Sequence, residues 1–215
     1  MTHIAFDWDG TIAKKEIAEE ANNRRSKTLG ITIPLEKLRE MQKTHAHYQI
    51  VRDAIENYTG VKDKQMQTVM MTNLFQIHYL SVVHEWKEKV FYPQMLDLLK
   101  QLHKENIALS IVTALRQDLV EPALNDLGIR NLFAGIYGNT PDLIHTKETI
   151  IKKAVEECGD VHLVVGDREE DMKAGKANNA KTAFATWGQG ELTNKKLADV
   201  ILKRPEDLMD FLKEL

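Results

Sequence analysis

Asp7-Trp8-Asp9-Gly10-Thr11 sets two carboxylates two residues apart, directly after the apolar segment Ile4-Ala5-Phe6 and directly before a glycine. Two like charges at the end of a short apolar run repel each other and do little for a strand end. They suit chemistry better. Asp7 fits the part of a nucleophile and Asp9 that of its acid/base partner, with a divalent metal holding the two acids together. Gly10 permits a sharp turn and a close approach of backbone to a ligand. Thr11 reads as a helper of that turn.

The elements that must position these residues follow from the hydrophobic pattern. Residues 3–8 read as a short buried strand ending at the acidic pair. From about residue 14 to 87 no strand pattern occurs. Residues 14–29 are rich in helix formers and end at Gly30. Pro34 is placed to open a second helix that runs to about Tyr58, and a third covers about 64–86. From Tyr92-Pro93 an α/β rhythm resumes. Met95, Leu98, Leu99 and Leu102 form a helical stripe. Ile107 to Val112 is an apolar strand ending at Thr113. The next helix reaches about Leu127, with Pro122 expected to kink it or mark a late start. Ile136 lies in a short strand before a loop from Gly138 to Pro141. Lys147 opens a helix with Ile150, Ile151, Ala154 and Val155 inward. Val161 to Val165 is a strand ending at Gly166-Asp167, with a helix from Glu169. Residues 182–186 and 200–202 are further strands, and a last helix follows Pro205.

Near-continuous apolar strands alternating with amphipathic helices imply a parallel sheet covered on both faces. In such sheets ligands bind beyond the carboxyl ends of the strands. Asp7, Thr113 and Asp167 each stand at such an end, so three distant pieces of sequence are expected to meet at one edge.

The bulk composition narrows the class. The chain has 215 residues, 43% of them hydrophobic and 28% charged, with a formal net charge of -3. That is an ordinary globular balance with a sizeable core and no nucleic-acid or membrane signature. Cys158 is the only cysteine, so no intramolecular disulfide forms and a reducing compartment is expected. Asp7 comes too early for a signal peptide, and no apolar run approaches membrane-spanning length. A cytoplasmic location is the expectation.

On the DWDGT motif, a strand ending in Thr113, Lys147 ahead of a helix, and Gly166-Asp167-Arg168-Glu169-Glu170-Asp171 after the fourth strand, the chain resembles the haloacid-dehalogenase-like hydrolase superfamily. It is similar to the phosphoglycolate-phosphatase-like branch, which carries a helical cap after the first motif. The resemblance spans the chain in the right order. It implies a Rossmann-like three-layer parallel-sheet core, residues 1–13 and 88–215, with an inserted α-helical cap, residues 14–87. Hinges are expected near Ile12-Ala13 and from Glu88 to Tyr92.

It further implies a magnesium-dependent phosphatase that hydrolyses a small phosphomonoester. Asp7 attacks phosphorus and forms an aspartyl-phosphate. Asp9 protonates the leaving oxygen and then deprotonates water. Magnesium is held by the Asp7 carboxylate, the backbone carbonyl of Asp9, the Asp167 carboxylate and water; hard oxygen ligands suit it. Trp8 through its N–H, Gly10, the Thr113 hydroxyl, the Ala114 N–H and Lys147 contact the substrate phosphate. Asp171 lies one turn past Asp167 and orients a metal-bound water or Lys147. Two departures from relatives stand out: Ala114 replaces a polar residue, and Arg168 replaces a small hydroxyl residue. Arg168 is left to substrate, neighbouring loop or solvent.

Several readings stay open from the residues alone. Lys152 and Lys153 compete with Lys147. Glu169 and Glu170 are read as favourable charges in a helix first turn. His45, His47, His78 and His84 are read as surface or half-buried residues, because positions two apart on a helix do not share a face. Lys14, Lys15, Arg24 and Arg25 follow the acidic turn and are candidates to reach a substrate or to face solvent. Met41, Tyr48, Met66, Met70 and Met71 are read as the inner core of the helical segment. The same core also serves phosphosugar mutases, and a non-catalytic phosphometabolite-binding module is a further alternative. Asp9 disfavours dehalogenase and phosphonate-cleaving chemistry. The partner is a small phosphorylated metabolite, with no nucleic acid and no membrane, in a monomer or homodimer.

Overall fold

The computed structural model describes residues 2–31, 46–140 and 145–213. Contacts divide the chain into two units: Met1–Lys15 with Trp86–Leu215, and Glu16–Glu85.

The larger unit is built on a six-stranded sheet. Strands β1 (His3–Phe6), β2 (Ala108–Arg116), β3 (Gly135–Asn139), β4 (Leu163–Gly166), β5 (Lys181–Ala185) and β6 (Val200–Leu202) lie in the order β3-β2-β1-β4-β5-β6. Every neighbouring pair is parallel. β1 and β4 are buried along their whole length, as expected when helices cover both faces.

The covering helices bury the stripes their sequences carry. In α4 (Met95–Lys104) the buried residues are Met95, Leu98, Leu99 and Leu102, one face at helical spacing. In α6 (Lys147–Cys158) they include Ile150, Ile151 and Ala154. These pack with Ala5, Val112 and Val164 of the sheet and Ala174 of α7 (Glu169–Ala177). Each buried Ile contributes roughly 1.5–3 kcal/mol. α6 ends at Gly159, whose φ of 83° gives the chain its exit.

Three readings of these elements need correction. β2 continues past Thr113 to Arg116, because pairing resumes at Arg116 with Asn139 after a register shift. The added residues include a polar pair partner rather than a continued apolar run, so the sequence pattern stops short. Helix α5 (Gln117–Asp126) carries Pro122 inside it and does not start late. β3 likewise includes Gly138, which was expected to begin a loop; residues 141–144 lie outside the described residues.

The smaller unit is helical. It contains α1 (Glu16–Thr28), α2 (Ala46–Thr59) and all but the last residue of α3 (Lys64–Trp86). Val51, Ile55 and Met71 form its core, with Leu29, Ile31 and Met70 packed beside them. Met66 is 51% exposed and does not belong to that core. The buried α3 positions Gln67 and Met71 are four apart, and Met66 lies off the face they share. Met41, Pro34 and His45 lie outside the described residues, as do the side chains of His47 and Tyr48. His78 is half-buried and bonded to the Thr28 hydroxyl at 2.9 Å, and His84 is exposed. Arg24 forks onto Glu85 at 2.6 and 2.7 Å and onto Glu20 at 2.8 Å, while Arg25 stacks 5.7 Å over the Phe75 ring.

The two chain segments that lead into and out of this helical unit are joined within the sheet unit. Lys14 N donates to Val90 O at 2.8 Å and Tyr92 N to Ile12 O at 3.3 Å. An antiparallel bridge links Ala13 and Phe91.

Candidate active site

Asp7 follows β1 without a break. Its N–H donates to Val165 O at 2.8 Å, extending the β1–β4 ladder by one residue. The chain then folds back on itself: Trp8 O accepts from the N–H groups of Thr11, Ile12 and Ala13 at 3.3, 3.0 and 2.8 Å. Gly10 sits at φ +90°, and a Cβ there would lie 2.6 Å from Asp167 Oδ2. Backbone conformation and space both require glycine.

Three other elements bring their residues to the same edge. Asp167 follows β4, and Asp171 lies in the first turn of α7. Lys147 is the first residue of α6, whose start is fixed by the Thr146 side chain accepting from Thr149 N at 3.3 Å. Asp7, Asp167, Asp171 and Lys147 are all at most 6% exposed.

Their charges do not balance. Lys147 Nζ donates to Asp7 Oδ1 at 2.5 Å and to Val112 O at 3.0 Å, and pairs with Asp171 Oδ1 at 2.9 Å. One ammonium thus serves a site with three carboxylates. The consequence appears in Asp7: burial pushes its carboxyl up to about 7, with Lys147 pulling down and Asp171 and Asp167 adding to the rise. Asp167 is also raised, by burial and by Asp171, against Arg168, the Gly190 N–H and Lys15. Lys147 is raised too, which for a base favours the charged form: against its burial, Asp171 and Asp7 prevail and hold it charged. The two partners differ because lysine gains two anions while Asp7 gains one cation and two anionic neighbours.

Of the expected residues, Asp7, Gly10, Lys147, Asp167 and Asp171 are brought together. Thr113 is buried at the end of the apolar part of β2, and its Oγ1 accepts from Leu115 N at 3.1 Å. Ala114 is exposed, and its carbonyl accepts from Asn139 Nδ2 at 2.6 Å. Trp8 is fully buried and Asp9 half-buried. Gly10 N donates to Ala13 O at 2.8 Å, so this N–H is already engaged and the residue's contribution is the room it leaves for Asp167. Lys152 and Lys153 are exposed on α6, which leaves Lys147 as the lysine at the carboxylates. Lys14 Nζ donates to Lys89 O at 3.0 Å, whereas the charge of Lys15 is felt at Asp167. Glu169 does more than sit in a helix first turn: it accepts from Thr193 N at 2.9 Å and Asn194 N at 3.0 Å.

Residues 4–185 match the family described as haloacid dehalogenase-like hydrolase. The chain belongs to that family. A phosphoglycolate phosphatase of Aquifex aeolicus is 27% identical over 226 residues, covering 99% of this chain and 97% of its own. Among solved structures, CbbY from Rhodobacter sphaeroides in complex with phosphate superposes with a TM-score of 0.71 at 18% identity, over 97% of this chain and 96% of its own. A haloacid dehalogenase-like family hydrolase from Streptococcus pneumoniae gives 0.68 at 21% identity, over 99% and 98%. These structural likenesses support the fold. No helix among the described residues is long and apolar enough to cross a membrane.

In this haloacid dehalogenase-like hydrolase the carboxylates fit a hard divalent cation. One oxygen each from Asp7, Asp167 and Asp171 lies within 4.8 Å of the others. Asp167 Oδ1 is buried with no hydrogen-bond partner, an expensive state for a carboxylate oxygen unless a cation satisfies it. Asp171 is different. Its Oδ2 accepts from Arg168 N at 3.0 Å and its Oδ1 faces Lys147, so of its two expected tasks the geometry favours orienting Lys147. Three carboxylates and one ammonium leave two negative charges, which a divalent ion matches.

Sequence reasoning missed the segment after β5. Trp187 Nε1 donates to Thr11 O at 2.9 Å, and the next residues contact Asp167. The available signal was Gly188 and Gly190, two glycines just past the carboxyl end of a parallel strand.

Proposed function

We propose that this hydrolase is a magnesium-dependent phosphatase acting on a small phosphomonoester through an aspartyl-phosphate on Asp7. The observation that carries the reading is Lys147 ion-paired to a buried Asp7 beside an Asp167 oxygen that lacks a partner. Relatives named phosphoglycolate phosphatase support the substrate class.

Asp7, the Asp9 backbone carbonyl and Asp167 would hold magnesium, whose charge would mask the repulsion between the Asp7 carboxylate and a phosphate dianion. An Asp7 oxygen attacks phosphorus as the phosphorus–oxygen bond to the alcohol breaks. Asp9 gives its proton to the departing oxygen, a step worth typically about 10²–10⁴-fold. The Asp9 carboxylate then takes a proton from water, the water oxygen attacks the acyl phosphate, and inorganic phosphate leaves with Asp7 restored. Lys147 neutralises charge on the transferred group, and Asp171 keeps Lys147 in place. The Thr113 hydroxyl and the backbone N–H groups of Trp8 and Ala114 orient the phosphate oxygens. Residues 14–87 act as the cap and select the substrate, since the motifs in the sheet unit carry chemistry common to the whole family.

The test is hydrolysis of a chromogenic aryl phosphate with magnesium, followed by a panel of small phosphates beginning with phosphoglycolate. Asp7→Asn abolishes turnover in a folded protein. Wild-type rates in that variant, or after chelation of the metal, would refute the mechanism.

A further inference from the structure

Asp167 has two carboxylate oxygens in unlike surroundings. Oδ1 is buried without a partner. Oδ2 accepts two backbone bonds, from Gln189 N at 3.1 Å and Gly190 N at 2.9 Å. Both donors come from the segment after β5, which the motifs above do not include. Trp187 of the same segment reaches the other loop of the site, its Nε1 donating to Thr11 O at 2.9 Å.

The segment fits only because it is glycine-rich. A Cβ at position 188 would lie 2.3 Å from Asp167 Cβ and 2.5 Å from Gly10 O. A Cβ at position 190 would lie 1.9 Å from Asp167 O. Side chains at either place would push Asp167 away, and at 188 would also push the turn that carries Asp9. By contrast, Gln189 is exposed, so the contribution of that residue to Asp167 is its N–H.

We propose that Trp187-Gly188-Gln189-Gly190 is a positioning loop for the metal site: its two amides fix Asp167 Oδ2, so that Oδ1 alone is presented to magnesium, while the indole N–H ties the DWDGT turn to the same loop. This rests on the magnesium reading above. A carboxylate with both oxygens free swings about its Cβ–Cγ bond or binds through both oxygens. Two N–H donors on one oxygen stop that rotation. Magnesium tolerates little misplacement of its ligands, and partners that orient a ligand without touching the metal typically change affinity by about 10–100-fold.

Calorimetric titration of magnesium into the full-length, metal-free protein tests the proposal. Gln189→Pro removes the N–H at an exposed position where φ is not positive; it raises the magnesium Kd by about 10–100-fold. Gln189→Ala keeps the N–H and retains wild-type affinity. Trp187→Phe keeps an aromatic side chain but loses the donor to Thr11 O, and weakens magnesium binding by about tenfold. A Gln189→Pro protein with native circular dichroism and unchanged Kd overturns the proposal. If that variant does not fold, unchanged affinity in Trp187→Phe overturns it instead. Asp167→Asn separates the two levels of inference. If it binds magnesium as the wild type does, the metal site itself is wrong. If it loses magnesium while the loop variants keep it, only the positioning loop is wrong.

Discussion

Lys147 Nζ lies between Asp7 and Asp171, 2.5 Å from one carboxylate and 2.9 Å from the other. The lysine comes from the start of α6, and the two acids follow β1 and open α7. An ammonium in this position holds apart two anions that would otherwise repel in a region closed to water. Burial, with Asp171 and Asp167 adding to it, outweighs the downward pull of this ammonium on the Asp7 carboxyl and raises it to about 7.

Replacing that lysine by methionine leaves three buried carboxylates with no cation. Stability falls by about 3–5 kcal/mol, the range for removing one partner of a buried pair. Urea unfolding of Lys147→Met against wild type measures this, and magnesium restores part of the loss. A variant as stable as wild type without metal would show that the pair does not hold the site together.

Thr146 acts one step further out. Thr146→Ala removes the side chain that accepts from Thr149 N and costs about 1 kcal/mol. Because the capped turn carries Lys147, turnover falls too, by less than in Lys147→Met. Thermal unfolding and initial rates on one preparation check both parts.

Asp9→Asn separates leaving groups. In the proposed mechanism Asp9 protonates the departing oxygen, and there it matters most for poor leaving groups. Asn lowers hydrolysis of an alkyl phosphate by about 10²–10⁴-fold and slows formation of the phosphoenzyme less with an aryl phosphate. Equal losses in the first step for both substrates would remove the acid role.

In the proposed site, metal binding is linked to pH through Asp7. Its carboxyl is at about 7 in the metal-free protein, and a bound cation favours the carboxylate. Magnesium binding therefore releases protons below about pH 7, and affinity rises with pH from 6 to 8 before levelling off. Calorimetry in buffers of different ionisation enthalpy counts the protons. Without metal the sign for stability is opposite. The folded value lies above the ordinary 3.8, so this contribution is full below about pH 4 and is lost as pH rises through about 7. The urea midpoint of the metal-free protein, followed across that window, reports it.

What the sequence disclosed and what it withheld divide along physical lines. The apolar strands and the stripe Met95, Leu98, Leu99, Leu102 were legible because periodicity records which face is buried. Asp7 and Asp167 were legible because both stand at the carboxyl ends of apolar parallel strands, where ligands bind, whereas Lys147 was singled out only through the family resemblance. β2 beyond Thr113 was not, since its later pairing does not depend on apolar side chains. Met66 was misassigned because composition alone does not fix which side of α3 faces inward. The loop at Gly188 and Gly190 escaped because it acts through backbone N–H groups, which every sequence has. The choice of Asp171 for Lys147 rather than for a metal required knowing which of its oxygens were already engaged.

The strand order has a consequence for how the protein is made. β1, which precedes both of its partners in the chain, lies in the middle of the sheet between β2 and β4. Its pairing of Ile4 with Leu163 spans about 160 residues. Asp7 therefore leaves the ribosome well before β4, and its edge of the sheet closes only once β4 has followed. Chains truncated before Leu163 retain Asp7 but lack the neighbour that shields β1, so the exposed apolar strand makes them prone to aggregate.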